Sequence, residues 1–149
     1  MCYQCIVIGA GASGLFFAAT RKGEGRVLLL DHQSRAGRKI LLSGGGKCNV
    51  TNRSAGPTNY IGRNPHFTRS ALTAFPPERM LDFLHTHRVE VEEREHGQIF
   101  CKRGAEELRN LLLDLARKNN AELLLDAGLE RIRYAGGENA APIKIGGVW

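Results

Sequence analysis

Three glycines and one acid stand at spacings that suit a phosphate-bearing ligand. The run is Gly9-Ala10-Gly11-Ala12-Ser13-Gly14. In a Gly-x-Gly-x-x-Gly run the first glycine permits a tight turn. The second lets backbone N–H groups approach a pyrophosphate, and the third lets the following helix pack closely on the preceding strand. A helix opening at Ala12 and Ser13 would add about half a positive charge. Asp31 lies 22 residues after Gly9 and 17 after Gly14. A carboxylate there would accept hydrogen bonds from the ribose hydroxyls of a dinucleotide and would repel a 2′-phosphate, which disfavours NADP at this site. The glycines alone are a weak signal, because a purely structural turn can carry them. Asp31 alone could be an exposed acid at a strand end. Specificity comes from their order: strand, glycine run, helix, second strand, acid.

A second glycine run is Ser43-Gly44-Gly45-Gly46-Lys47-Cys48-Asn49. It is no Walker A motif, because Leu41 stands where the first glycine should be. Its bare amides and Lys47 could face phosphate or the edge of a flavin ring, or the run could be a flexible surface loop. Cys48 could be a reactive thiol, but the sequence offers it no nearby cysteine. A redox disulfide is therefore not expected, and a structural role is favoured. Cys2 and Cys5 form a Cys-x-x-Cys, yet no second pair exists for zinc, and Cys5 enters an apolar strand rather than a helix N-terminus. The five histidines form no cluster: His85 and His87 are two apart and face different ways on a helix. No metal site and no catalytic acid or base is expected from them.

The elements that must position these residues follow from hydropathy patterning. Gln4–Ile8 is a short apolar run and reads as a strand buried on both faces of a parallel sheet. Residues 12–22 read as a helix packing Leu15, Phe16, Ala18 and Ala19 inward, stopped by Gly23 and Gly25. Arg26–Asp31 is a second buried strand. Residues 4–31 thus make one right-handed βαβ unit. Residues 32–66 look irregular, with the glycine-rich stretch 37–52 inside them. A short helix is expected at 66–75 and a longer one at 77–88, with Pro77 in its first turn. Val89–Glu92 alternates like a strand, with Gln98–Cys101 as its hairpin partner across Glu95-His96-Gly97. Residues 104–118 form the clearest amphipathic helix, with Leu108, Leu111, Leu112, Leu115 and Ala116 on one face. Leu123–Leu125 and Leu129–Tyr134 read as further strands.

Composition bounds the function classes. A chain of 149 residues suggests one domain with a core that needs no staples. Glycine, at 18 residues, is about 12% of the chain, above the usual ~7%. The net charge of +6 suits either a nucleic acid or an anionic cofactor. The only basic cluster is Arg35, Arg38, Lys39 and Lys47, without interleaved aromatics, so nucleic-acid binding is not expected. No signal peptide and no apolar run long enough to span a membrane is visible, so a cytoplasmic protein is expected.

The segment Gly37-Arg38-Lys39-Ile40-Leu41-Leu42-Ser43-Gly44-Gly45-Gly46-Lys47-Cys48-Asn49-Val50-Thr51-Asn52, with Gly9–Gly14 and Asp31, resembles the BaiN-like (YhiN-type) family of NAD(P)/FAD-dependent oxidoreductases. Gly97–Phe100, the leucine-rich helix and Asp126–Glu130 are similar to it as well, and the likeness covers roughly residues 4–135. It implies an α/β Rossmann-like FAD-binding domain, the N-terminal part of a two-dinucleotide-binding flavoprotein fold. On that resemblance Gly9, Gly11, Ala12, Ser13 and Gly14 hold the pyrophosphate of FAD. Asp31, with His32 beside it, holds the ribose, and the Leu129 backbone meets the adenine. Arg38, Lys39, Ser43, Gly44, Gly45, Cys48 and Asn49 approach the phosphates and flavin. The implied chemistry is hydride transfer from NAD(P)H to a small-molecule substrate through the flavin. Family members are several hundred residues long, so the chain is expected to be an N-terminal portion, with a substrate domain elsewhere. An NAD-binding Rossmann domain without flavin, or an FAD-binding fragment without turnover, are the alternatives.

Overall fold

The computed structural model describes residues 2–129. In chain order the elements are β1 (Cys5–Ile8), α1 (Ala12–Thr20), β2 (Val27–Leu30), α2 (Arg38–Leu42), β3 (Asn49–Asn52), α3 (Arg69–Ala74), α4 (Pro77–Thr86), β4 (Val91–Glu93), β5 (Gln98–Cys101), α5 (Ala105–Lys118) and β6 (Ala121–Leu124). Short 3-10 turns occupy Ser43–Gly46, Pro57–Asn59 and Glu95–Gly97. The chain divides into two compact units, one of residues 1–37 with 113–149 and one of residues 38–112.

The first unit holds a parallel sheet in the order β1-β2-β6. Ile6 pairs with Leu28 and Ile8 with Leu30, while Leu29 pairs with Val7 and Leu123. Side chains alternate across such a sheet, so this register sorts the apolar residues into two faces. On one face Val27 and Leu29 are fully buried. Leu29 shares a space there with Leu15 of α1 and with Leu113 and Ala116 from the C-terminal end of α5. Removing Leu15 and Leu29 from water contributes about 1.5–3 kcal/mol each. On the other face Ile6 is 56% exposed and Ile8 50%. The expectation that β1 is buried on both faces is therefore corrected: among the described residues its helices cover one face only.

α1 presents Leu15, Ala18 and Ala19 inward, the one-turn spacing that brings side chains onto a single face. Phe16 is half-buried and Phe17 is the exposed neighbour. The helix ends at Thr20, two residues earlier than expected, because Arg21 adopts extended backbone. The Asn119 amide donates to the Ala18 and Ala19 carbonyls. Those carbonyls belong to the last turn, where no intrahelical donor is left.

The second unit carries an antiparallel sheet in the order β3-β5-β4. Val91 pairs with Cys101 and Glu93 with Ile99. The expected hairpin thus forms, with its first strand beginning two residues later. Its connection turns through His96 and Gly97, both with positive φ (58° and 74°). Central strand β5 is the most buried, with Ile99 at 1% and Cys101 at 0% exposure. Residues 32–66 are not irregular throughout, as expected, but contain α2, β3 and two 3-10 turns. β3 carries no apolar alternation of its own; it is a strand because β5 offers an unpaired edge. α3 is shorter than expected, and α4 begins at Pro77 as the missing proline N–H allows. Leu84 is its buried anchor, at 1% exposure. Leu108 and Leu112 of α5 are also buried. Leu129 is half-buried and outside regular structure, and the rest of the strand expected at Leu129–Tyr134 lies outside the described residues.

Candidate functional site

The first unit gathers Gly9, Gly11, Ala12, Ser13, Gly14, Asp31, His32 and Leu129. β1 ends at Ile8, and the chain turns at Gly9 with φ 106°, a backbone open to glycine. The Gly9 N–H donates to the Leu30 carbonyl at 2.7 Å, tying the loop to β2. A Cβ on Gly14 would stand 2.0 Å from the Gly9 carbonyl oxygen and 3.2 Å from Val7. Only a hydrogen fits there, so α1 lies directly against the end of β1. Gly11 differs: a Cβ there would meet nothing within 4 Å. Its bare Cα faces open space at the start of α1.

That helix start has no side-chain cap and no acid in its first turn. The first N–H groups of a helix have no intrahelical acceptor, and at this end they present partial positive charge. Ala12 and Ser13 are exposed there. The arrangement can accept an anion through backbone N–H groups.

Asp31 follows β2 with its side chain 12% exposed. One carboxylate oxygen accepts the Ala10 N–H at 2.7 Å and the other accepts the Gln33 N–H at 2.9 Å. A carboxylate offers about four acceptor positions, so two remain for a ligand's hydroxyls. His32 is exposed, its Nδ1 3.6 Å from the Asp31 carboxylate. The Ala10 carbonyl accepts the Gly37 N–H, while Ala127 and Asp126 donate to the carbonyls of Asp31 and Gln33. Sequence reasoning placed Ala10, Gly37 and Ala127 inside its motifs without a role of their own, and did not single out Gln33. They act through backbone atoms, which leave no mark in residue type.

The second unit holds Arg38, Lys39, Ser43, Gly44, Gly45, Cys48 and Asn49. Arg38, Lys39, Gly44, Gly45 and Asn49 are exposed. Ser43–Gly46 is a tight left-handed turn, with φ of 57° at Gly44, 64° at Gly45 and 87° at Gly46. A Cβ on Gly44 would stand 2.6 Å from the Phe100 ring. The Cys48 N–H donates to the Ser43 carbonyl, and the Ser43 hydroxyl to the Ile40 carbonyl. The run is thus a pinned turn, although composition alone left a flexible loop open. Lys47 lies 3.9 Å from Glu92.

The expectation that Cys48 lacks a cysteine partner is corrected. Cys101, the last residue of β5, lies beside it: the Cys101 N–H reaches the Cys48 carbonyl at 3.4 Å, and each thiol is the main influence on the other's pKa. Both are free and buried. The S–H of Cys101 stabilises the Cys48 thiolate, outweighs the effect of burial and holds its pKa below the usual thiol range. The same neighbour, with burial, pushes the Cys101 thiol up. Sequence separation hid this pair; only the pairing of β3 with β5 brings residue 101 beside residue 48.

Residues 3–145 match the family described as HI0933-like protein Rossmann domain. The chain belongs to that family, as the Gly37–Asn52 motif implied. It is 41% identical over 124 residues to the ribosomal RNA dihydrouridine synthase of Escherichia coli (strain K12), covering 83% of this chain and 31% of that protein. It is 38% identical over 81 residues to the 3-dehydro-bile acid delta(4,6)-reductase of Clostridium scindens, covering 52% of this chain and 20% of that protein. The chain therefore spans under a third of the length of these relatives. Among solved structures, Thermovibrio ammonificans THI4 superposes with a TM-score of 0.51 at 16% identity, over 83% of this chain and 38% of that one. That likeness concerns the fold, which is α/β and Rossmann-like.

Proposed function

We propose that this chain is the FAD-binding portion of a flavoprotein oxidoreductase. The observation that carries the reading is the uncapped start of α1 facing the open space beside Gly11, with the Asp31 carboxylate anchored next to the same loop. The residues present fit a dinucleotide. Backbone N–H groups at Gly11, Ala12, Ser13 and Gly14 would hold the pyrophosphate, and Gly9 sets the turn that aims them. The free acceptor positions of Asp31 would take the ribose hydroxyls, with His32 beside them and the Leu129 backbone toward the adenine. Arg38, Lys39, Ser43, Gly44, Gly45, Cys48 and Asn49 are assigned to the cofactor by the family motif alone.

When bound, the flavin supplies two-electron transfer from a nicotinamide donor to an acceptor, and the protein positions it. The names of the two curated relatives both describe adding hydrogen to an unsaturated substrate, a uridine in one and a delta(4,6) bile acid in the other. We assign the full-length protein to the same reaction class, with NAD(P)H as donor and a small unsaturated molecule as acceptor. A second reading takes a uridine of ribosomal RNA as substrate; the 41% identity to the Escherichia coli synthase favours it.

Titrating the purified chain with FAD, followed by flavin fluorescence, and separately with NADH tests the cofactor. Saturable FAD binding with little NADH binding supports the reading. NADH binding without FAD binding moves the assignment to a nicotinamide domain, and binding of neither overturns both.

A further inference from the structure

We propose that Cys48 and Cys101 form a redox-active dithiol, closing reversibly to an intramolecular disulfide within the 38–112 unit. Three observations carry this. The first is register. Asn49 pairs with Phe100 on antiparallel strands β3 and β5; Cys48 immediately precedes that pair and Cys101 immediately follows it. The Cys101 N–H donates to the carbonyls of Lys47 at 3.0 Å and Cys48 at 3.4 Å, so the two backbones run side by side. Backbones joined by such a bond lie close to the roughly 4.4–6.8 Å between Cα atoms that a disulfide spans.

The second observation is side-chain direction. Each thiol is the main influence on the other's pKa, so the two side chains face one another rather than opposite sides of the sheet. Cys48 holds φ of 54°, a left-handed backbone that costs a non-glycine residue about 1 kcal/mol or more. The third observation is enclosure. Cys48 is 5% exposed and Cys101 0%, so the pair is shielded from bulky reagents and Cys48 is the more accessible sulfur of the two.

The chemistry balances with hydrogen peroxide as oxidant. The Cys48 thiolate attacks one peroxide oxygen; an S–O bond forms, the O–O bond breaks, and hydroxide leaves. The Cys101 sulfur, giving up its proton, then attacks the Cys48 sulfur. An S–S bond forms, the S–O bond breaks, and water leaves. Two thiols lose two electrons and two protons, and one peroxide becomes two waters. A dithiol reductant such as dithiothreitol returns both thiols by exchange. Cys48 is the attacking sulfur because its thiolate is the stabilised one, and Cys101 is the resolving sulfur.

The test uses the full chain carrying Cys2→Ser and Cys5→Ser, so that only this pair remains. The folded protein is treated with a slight excess of hydrogen peroxide, unfolded, alkylated with N-ethylmaleimide and mapped by mass spectrometry. The expected result is loss of both alkylatable thiols, a single linked peptide pair containing Cys48 and Cys101, and full recovery after dithiothreitol. Persistence of two free thiols overturns the proposal, as does Cys48 over-oxidised beside a free Cys101. In a further Cys101→Ser variant, Cys48 should halt as a sulfenic acid trapped by dimedone. Should that variant fail to fold, the peptide map of the parent still decides. None of these readouts depends on FAD binding.

Discussion

The Asp31 carboxylate has backbone duties before any ligand arrives. It accepts the N–H groups of Ala10 and Gln33 and so fixes the glycine loop to the end of β2. Asp31→Asn keeps one acceptor oxygen and sets an amide against the other N–H. Leaving a part-buried donor unpaired costs about 1–3 kcal/mol, so the urea midpoint should fall and FAD affinity with it. If stability falls while FAD affinity holds, Asp31 is a loop anchor and the ribose is held elsewhere. Cys48 gives a pH prediction. Its pKa is lowered chiefly by the neighbouring Cys101 S–H, and the thiolate is the reactive form. Raising pH through the acid range should therefore switch on its oxidation by hydrogen peroxide, read as thiol lost to alkylation after unfolding, at a midpoint below the ~8.5 of a free thiol. The folded-state pKa is depressed, so the matching stability contribution is present above ~8.5 and fades as pH falls through the lower value. A rate profile centred at ~8.5 would remove the assigned stabilisation.

At the scale of elements, the contact of α1 with β1 rests on Gly14. A Cβ there collides with the Gly9 carbonyl, which is backbone and has nowhere to go. Gly14→Ala should destabilise by about 1–3 kcal/mol, as overpacking does, read as a lower urea midpoint. It should also weaken FAD binding, because the helix start moves with the loop. Gly11→Ala is the control: its Cβ enters open space, so stability should stay within about 0.5–1 kcal/mol of the parent while FAD binding falls. Equal losses of binding and stability at Gly11 would argue against a ligand at that opening. The two glycines look alike in sequence; one packs against the chain and the other is proposed to face the ligand.

For the whole molecule, charge is the relevant quantity. The chain carries a net +6, and the proposed ligand carries a pyrophosphate. Part of the attraction is then long-range and screened, with a Debye length of about 10 Å at 0.1 M salt. FAD affinity should fall as sodium chloride is raised from low to near-molar concentration. A flat response, measured by the same fluorescence titration, would assign the binding to short-range contacts alone. No helix among the described residues is long and apolar enough to cross a membrane.

The βαβ unit was legible in the sequence because each part has a local cause. Apolar runs make β1 and β2, Gly9 makes the turn, and Leu15, Ala18 and Ala19 make the inner face of α1. The α5 stripe and the β4–β5 hairpin were legible for the same reason: their periodicity is a short-range property. Only tertiary structure decided the rest. β3 shows no strand pattern, since it is held by the β5 edge rather than by its own side chains. The open face of Ile6 and Ile8 depends on which neighbours cover the sheet. Asp31 binds Ala10 through a backbone N–H that every residue but proline possesses. Cys48 and Cys101 are 53 positions apart, and no local rule joins them. Local periodicity fixes which residues can form an element; pairing across the chain fixes which residues meet, and that is where the proposed thiol chemistry lies.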